Sequence, residues 1–109
     1  MGTEKEMMDL LKHIVFWRFL DNAEGHTKQE NMDIVKDGLL SLVGRVPSLI
    51  SAEIGQDVLH SGMSFDMCLI CTFEDLGGML EYRDHPEHVK VAGYIAKVKS
   101  ERAVIDYNY

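Results

Sequence analysis

The order in which strand-like and helix-like segments follow one another constrains the fold of this chain more than any other feature. Lys12–Phe19 is rich in β-branched and aromatic residues, which predicts a strand. Thr27 and Glu30 form a capping box that begins a helix, and apolar residues then recur at steps of three and four as far as Val46. Leu49–Val58 alternates between apolar and polar residues, as a second strand does.

The second half of the chain repeats this order without repeating the residues. Phe65–Phe73 predicts a third strand, and Asp75 is the predicted N-cap of a short helix. Pro86 starts another helix that runs through Val98, and Arg102–Tyr107 predicts the last strand. The order β-α-β-β-α-β is that of the split βαβ unit, so we expect an α+β, ferredoxin-like protomer with a four-stranded antiparallel sheet.

Length and composition indicate one domain. A chain of 109 residues, 46% hydrophobic and 27% charged, is ordinary for a globular protein and has no room for a second core. We expect an N-terminal arm over residues 1–11 and a single domain over residues 12–109. The longest apolar run, Met67–Cys71, is far too short to cross a membrane, and no secretory leader is apparent, so the expected location is cytoplasmic.

The charge balance narrows the partners. Eighteen acidic residues against eleven basic ones give a net charge of −7, and the basic residues are spread along the whole chain. A nucleic-acid backbone or an anionic membrane would therefore be repelled, and we expect neither as a partner.

The hydrophobic pattern of the strands predicts a homodimer. A split βαβ sheet has the strand order 4-1-3-2, and the first and third strands, which are apolar on both faces, occupy its middle. Both helices lie on one face, so the other face would expose Trp17 or the residues opposite it. Leaving such a face in water forfeits on the order of 5–10 kcal/mol. A second copy of the chain would cover it.

The residues do not predict a metal or cofactor site. Cys68 and Cys71 point to opposite faces of a strand, which favours two small buried hydrophobes over a metal site or a disulfide. His85 and His88 are spaced to share a metal but lack an obvious third ligand. The sequence has no Gly-rich phosphate loop and no nucleophile elbow, so no cofactor is expected.

His13, Tyr82 and His88 are the candidate catalytic residues. His13 falls on a central strand among apolar residues, where a histidine bonded to its neighbours is the simpler interpretation. His88 falls in the first turn of a helix, whose dipole keeps an imidazole neutral and able to act as a base. A nearby Tyr82 hydroxyl can polarise a carbonyl or relay a proton. The structural alternative is N-capping by Asp84 or His85 with a solvated His88.

The same residues carry a resemblance to a known family. Lys12–Phe19 resembles the opening strand of the stress-responsive dimeric α/β-barrel (Dabb) domain. Tyr82–Val89, which reads Tyr-Arg-Asp-His-Pro-Glu-His-Val, resembles its second signature, and Val104–Tyr107 its third. The resemblance runs from Lys12 to Tyr107. It implies a ferredoxin-like protomer that pairs into an eight-stranded barrel.

The resemblance also implies a range of functions. Family members include polyketide cyclases of the olivetolic acid cyclase type, in which a His and a Tyr promote aldol closure of a polyketide in a cavity between sheet and helices. By motif position His88 would be the base, Tyr82 its partner and His13 a cavity residue. The ligand class would be a small apolar or aromatic carbonyl compound. The alternatives are a non-catalytic stress-responsive dimer and a cofactor-free monooxygenase. Gly77 and Gly78 depart from the family pattern.

Overall fold

The computed structural model describes residues 10–109 and has the predicted order of elements, with one additional short hairpin between the first strand and the first helix. Within that range the elements are β1 (Leu11–Phe19), a hairpin of β2 (Asn22–Ala23) and β3 (His26–Thr27), α1 (Lys28–Leu40), β4 (Ser51–Gln56), β5 (Met67–Phe73), α2 (Leu76–Asp84), α3 (Pro86–Val98) and β6 (Lys99–Asn108). The main sheet has the order β4-β5-β1-β6, with every pair antiparallel. This is the predicted strand order, and the ferredoxin-like α+β fold is confirmed. Residues 1–9 of the expected arm lie outside the described residues, and β1 begins at Leu11.

Some element boundaries differ from those predicted. Thr27 caps α1 with the predicted box, but the helix ends at Leu40 rather than near Val46. Gly44 has a φ of 92°, in the left-handed region that a helix cannot contain, so the chain continues as turns. These turns still bury Leu42 and Val46, and for this reason the helical spacing of apolar residues extends past the helix itself.

The core lies between one face of the sheet and the helices. On β1 the core residues are Leu11, Val15, Trp17 and Phe19, all nearly inaccessible to solvent. Asn31 of α1 is fully buried. Its Nδ2 donates to the carbonyl of Ala23 and its Oδ1 accepts from the Tyr94 hydroxyl, so one polar side chain ties α1 to the hairpin and to α3. No helix within residues 10–109 is long and apolar enough to span a membrane.

The opposite face of the sheet has no helix on it and is apolar at its centre. Ile14 pairs with both Ile70 and Ile105, and residues paired across antiparallel strands share a face. Phe16 is 37% exposed there. The sequence left open whether Trp17 or the residues on the other face would be uncovered. In the structure the uncovered residues are those on the face opposite Trp17. Trp17 is only 3% exposed, because it shares the helix-covered face with Val15.

The two cysteines lie on opposite faces of β5, as predicted. Cys71 is fully buried in the core, whereas Cys68 is half-buried on the open face beside Phe16. Both are free thiols. Among residues 10–109 no group of three or more His, Cys, Asp or Glu side chains has the arrangement of a metal site.

Candidate functional site

His13 is held by a carboxylate on the neighbouring edge strand. The register of β1 and β6 places His13 opposite Asp106, and His13 Nδ1 lies 2.5 Å from Asp106 Oδ1. A carboxylate oxygen accepts, so Nδ1–H donates and the Nε2 lone pair of a neutral ring remains for another partner. The His13 side chain is 12% exposed on the helix-facing side of the sheet. The histidine is therefore partnered by a neighbour and keeps one nitrogen uncommitted.

Tyr82 is the most deeply buried of the three candidate residues. Its ring, near the end of α2, packs against Phe73 at 5.1 Å between centroids, and the residue is 2% exposed. The Cys71 thiol donates to the phenol oxygen over 4.0 Å, so the phenol hydrogen stays available for another acceptor. Burial raises the pKa of the Cys71 thiol to about 12. Burial also raises the pKa of the Tyr82 phenol, which stays protonated at neutral pH.

His88 lies in the first turn of α3 with its ring against Tyr82. The two ring centroids are 4.3 Å apart, and His88 Nδ1 lies 3.0 Å from the Arg83 carbonyl oxygen. A carbonyl can only accept, so Nδ1–H donates and Nε2 of the neutral ring carries the lone pair. This is the protonation pattern of a general base.

Burial is the main reason that the pKa of His88 lies below its ordinary value of 6.5. The hydrogen bond to the Arg83 carbonyl opposes this shift, the charges of His13 and Arg102 add to it, and the charge of Asp84 opposes it. The sequence predicts a neutral His88 from the helix dipole. The structure gives the same direction for the pKa but makes desolvation the largest cause.

The break between α2 and α3 brings Tyr82 and His88 together. α2 ends at Asp84, His85 caps both helices, and Pro86 takes the first helical position of α3. His85 Nδ1 accepts from the backbone N–H of Glu87. His85 is thus the capping residue that the structural alternative required, while His88 is half-buried rather than solvated.

A chamber between the sheet and the helices has two adjoining lobes. The Trp17 lobe has a volume of about 250 Å³ and the Asp106 lobe about 200 Å³. Each is smaller than the ~300 Å³ typical of pockets for drug-sized ligands. The two lobes share four lining residues, His13, Tyr82, His88 and Arg102. The structure thus brings all three predicted site residues to the junction of the lobes.

Sequence reasoning missed Asp106, Arg102 and Cys71 as members of this site. Asp106 and Arg102 are two of the alternate residues of β6 that face the helices, because they pair with His13 and Trp17. The available signal was the pairing register of the last strand with the first, which a single sequence does not give. Cys71 contacts Tyr82 through packing in the core, for which no motif exists.

Comparisons with known proteins place this arrangement in a recognised fold. A sequence profile of the Stress responsive A/B Barrel Domain, Dabb, matches residues 11–109. A search of curated proteins found no match. A dimeric ferredoxin-like protein from Thermobifida fusca is 20% identical, with a TM-score of 0.81, over 98% of this chain and 97% of that one.

Two further solved structures have the same fold. The hydroxynitrile lyase from Passiflora edulis is 18% identical, with a TM-score of 0.80, over 94% of each chain. A dimeric ferredoxin-like protein of unknown function from Bacteroides fragilis is 25% identical, with a TM-score of 0.72, over 92% of this chain and 96% of that one. The similarity extends over nearly the whole length of each chain.

Proposed function

Since the chain belongs to the stress-responsive A/B barrel (Dabb) family, we propose that its chamber binds a small apolar carbonyl compound and catalyses acid/base chemistry on it. The single observation that carries the proposal is the convergence of His13, Tyr82 and His88 on the junction of the two lobes. Apolar side chains make up much of the remaining lining of the Trp17 lobe, among them Val15, Leu39, Leu69, Ala92 and Ile95. Such a lining favours an apolar or aromatic ligand.

His88 is the base in this proposal and Tyr82 the hydrogen-bond donor. His88 Nε2 takes a proton from a carbon next to a carbonyl group, and that carbon attacks a second carbonyl of the same molecule. One carbon–carbon bond forms, and the proton held by His88 returns to the new alkoxide oxygen. The Tyr82 phenol, which burial keeps protonated, donates to the oxygen that becomes negative. His13, oriented by Asp106, lines the site and contacts the same ligand.

Known structures of this fold support a catalytic role. The Passiflora edulis protein is a hydroxynitrile lyase, so a ferredoxin-like chain of this shape can be an enzyme. The present chain supplies a desolvated imidazole beside a neutral phenol, which are the groups that a cyclase-like aldol closure requires.

The proposed assembly is a homodimer joined through the open sheet face. This face carries exposed Phe16, Ile105 and Tyr107 around half-buried Ile14 and Ile70. The Thermobifida fusca and Bacteroides fragilis proteins of the same fold are dimeric. A second copy of this chain, laid face to face, would remove these apolar side chains from water. The dimer would also leave the chamber on the helix side of each sheet.

The function is tested by turnover of diacetylpropane, a linear diketone that closes to a six-membered ring by intramolecular aldol reaction. Loss of water from the product gives an enone, whose absorbance is measured. Replacing His88→Ala removes the base, so kcat should fall by about 10²- to 10⁴-fold. Tyr82→Phe should lower kcat by about tenfold or more, because the alkoxide loses one donor.

The matched control is His60→Ala, since His60 is largely exposed outside the chamber. Circular dichroism and the urea midpoint report whether each variant is folded. Turnover by folded His88→Ala equal to that of the wild type would overturn the proposal. If the wild type neither turns over nor binds diacetylpropane, the non-catalytic dimer is favoured. Oxygen uptake with quinol-like aromatics would favour the monooxygenase.

A further inference from the structure

The Trp17 lobe is positively charged in a chain that is acidic as a whole. The charged residues among its lining are Lys99 and Arg102, and no Asp or Glu side chain lines it. Neither Lys99 nor Arg102 forms an ion pair with a carboxylate of residues 10–109. Asp106, which lines the other lobe, is engaged by His13. Arg102 is exposed and Lys99 half-buried, so both cations at this lobe are free to bind an anion.

Trp17, which lines the same lobe, has a buried indole N–H without an acceptor. Trp17 is 3% exposed, and its indole Nε1 has no hydrogen-bond partner among the described residues. The register of β1 and β6 sets Trp17 directly opposite Arg102, so the indole and the guanidinium come from neighbouring positions on one face of the sheet. A buried N–H without a partner costs free energy.

We infer that the natural ligand is an apolar keto acid, whose carboxylate is bound by Arg102 and Lys99 and whose carbonyl lies at His88 and Tyr82. This inference rests on the proposed function and adds the substrate class. Arg102 lines both lobes together with His13, Tyr82 and His88, so the carboxylate binds close to the carbonyl, as in a γ-keto acid. A guanidinium can bind a carboxylate through two parallel hydrogen bonds.

The test compares two ligands that differ in charge, benzoylpropionic acid and its methyl ester. Binding is followed by the fluorescence and the indole ¹H–¹⁵N resonance of Trp17, the single tryptophan of the chain. We expect the wild type to bind the acid about tenfold more tightly than the ester at about pH 8. Added salt should weaken binding of the acid more than binding of the ester. Binding should also move the indole resonance.

Three variants locate the charge that is responsible. Arg102→Gln should remove most of the tenfold preference for the acid, and Lys99→Gln should reduce it. Lys97→Gln removes the same charge from the exposed last turn of α3, outside the chamber lining, and should leave the preference unchanged. A loss of preference in Lys97→Gln equal to that in Arg102→Gln would indicate net charge rather than a carboxylate site and would overturn the inference.

Two outcomes separate this inference from the proposed function. Equal affinity of the wild type for acid and ester, with turnover of diacetylpropane intact, overturns the keto-acid ligand and keeps the acid/base chemistry. A tenfold preference for the acid without any turnover keeps the carboxylate site and overturns the catalytic proposal. The inference is also overturned if the wild type does not bind the acid at concentrations up to roughly 1 mM, which is the weak end of the affinity range for a specific ligand.

Discussion

At the scale of single residues, the site is defined by which ring nitrogen holds a proton. Asp106 accepts a hydrogen bond from Nδ1–H of His13, and the Arg83 carbonyl accepts one from Nδ1–H of His88. Both histidines therefore have Nε2 as the nitrogen that can accept. Desolvation raises the pKa of their neighbour Tyr82, which keeps its proton. It lowers the pKa of His88, which loses its proton more easily than an exposed histidine does. A donor and a base thus stand in ring contact near neutral pH.

The lowered pKa of His88 predicts how both activity and stability depend on pH. His88 remains an unprotonated base below its ordinary pKa of 6.5, so the acid limb of the kcat/KM profile should lie below that value. In the unfolded chain His88 takes up a proton at its ordinary pKa, so acid favours unfolding as the pH falls through 6.5 toward the folded value. His88→Gln should therefore lose less stability than the wild type between about pH 7.5 and 5.5 in urea unfolding.

The control for this prediction is His60→Asn, which removes an exposed histidine and its pairing with Asp57 outside the chamber, and the change of pH dependence in His88→Gln should be the larger of the two. His13, Arg102 and Asp84 face His88 with charges of their own and are unchanged in both variants. An acid limb above pH 6.5, or identical pH dependence in the wild type and His88→Gln, would contradict a neutral, desolvated imidazole.

At the scale of elements, local signals set where each helix begins. Thr27 Oγ1 accepts from the Glu30 N–H at 3.2 Å, and Glu30 Oε1 accepts from the Thr27 N–H at 2.8 Å. At the junction of α2 and α3, His85 and Pro86 begin α3 one turn before His88, whose ring contacts Tyr82. These starts depend on residues within one turn, and for this reason the sequence predicted each of them.

Removing the cap of α1 should destabilise the protein without touching the chamber. In Thr27→Ala the Glu30 N–H loses its side-chain acceptor, and the free energy of unfolding should fall by about 1 kcal/mol. The measurement is the urea midpoint at unchanged m-value. Thr27→Ser keeps a hydroxyl and should retain most of that stability. An equal loss in both variants would mean that the Thr27 methyl group, rather than the cap, is responsible.

At the scale of the whole molecule, the sheet has two apolar faces and the protomer covers one. The helices bury Val15, Trp17 and Phe19, whereas Phe16 and Ile105 remain exposed on the other side. A stable dimer needs about 1,200 Å² or more of buried surface, and a whole face of a four-stranded sheet can supply an area of that order. Burial of Phe16 and its neighbours, rather than of Trp17, would therefore supply the free energy for the proposed pairing.

Placing a charge on the open face should separate the proposed dimer. Phe16→Glu puts a carboxylate among Ile14, Cys68 and Phe65, where a partner would have to desolvate it. We expect a monomeric mass by light scattering at micromolar concentration, with the fold intact by circular dichroism. Val43→Glu changes a similarly exposed residue away from the sheet and should remain dimeric. A monomeric wild type at the same concentration would contradict the assembly.

The sequence by itself determined the order of elements, the caps of the helices, the central position of the two doubly apolar strands and the opposite directions of Cys68 and Cys71. These features depend on spacing along the chain, because the periodicity of a strand or helix fixes the direction in which each side chain points. Tertiary structure alone decided that Trp17 is covered and Phe16 open, and that Asp106 and Arg102 stand beside His13 and Trp17. Those contacts join strands about ninety residues apart, and their register is set by packing of the whole sheet.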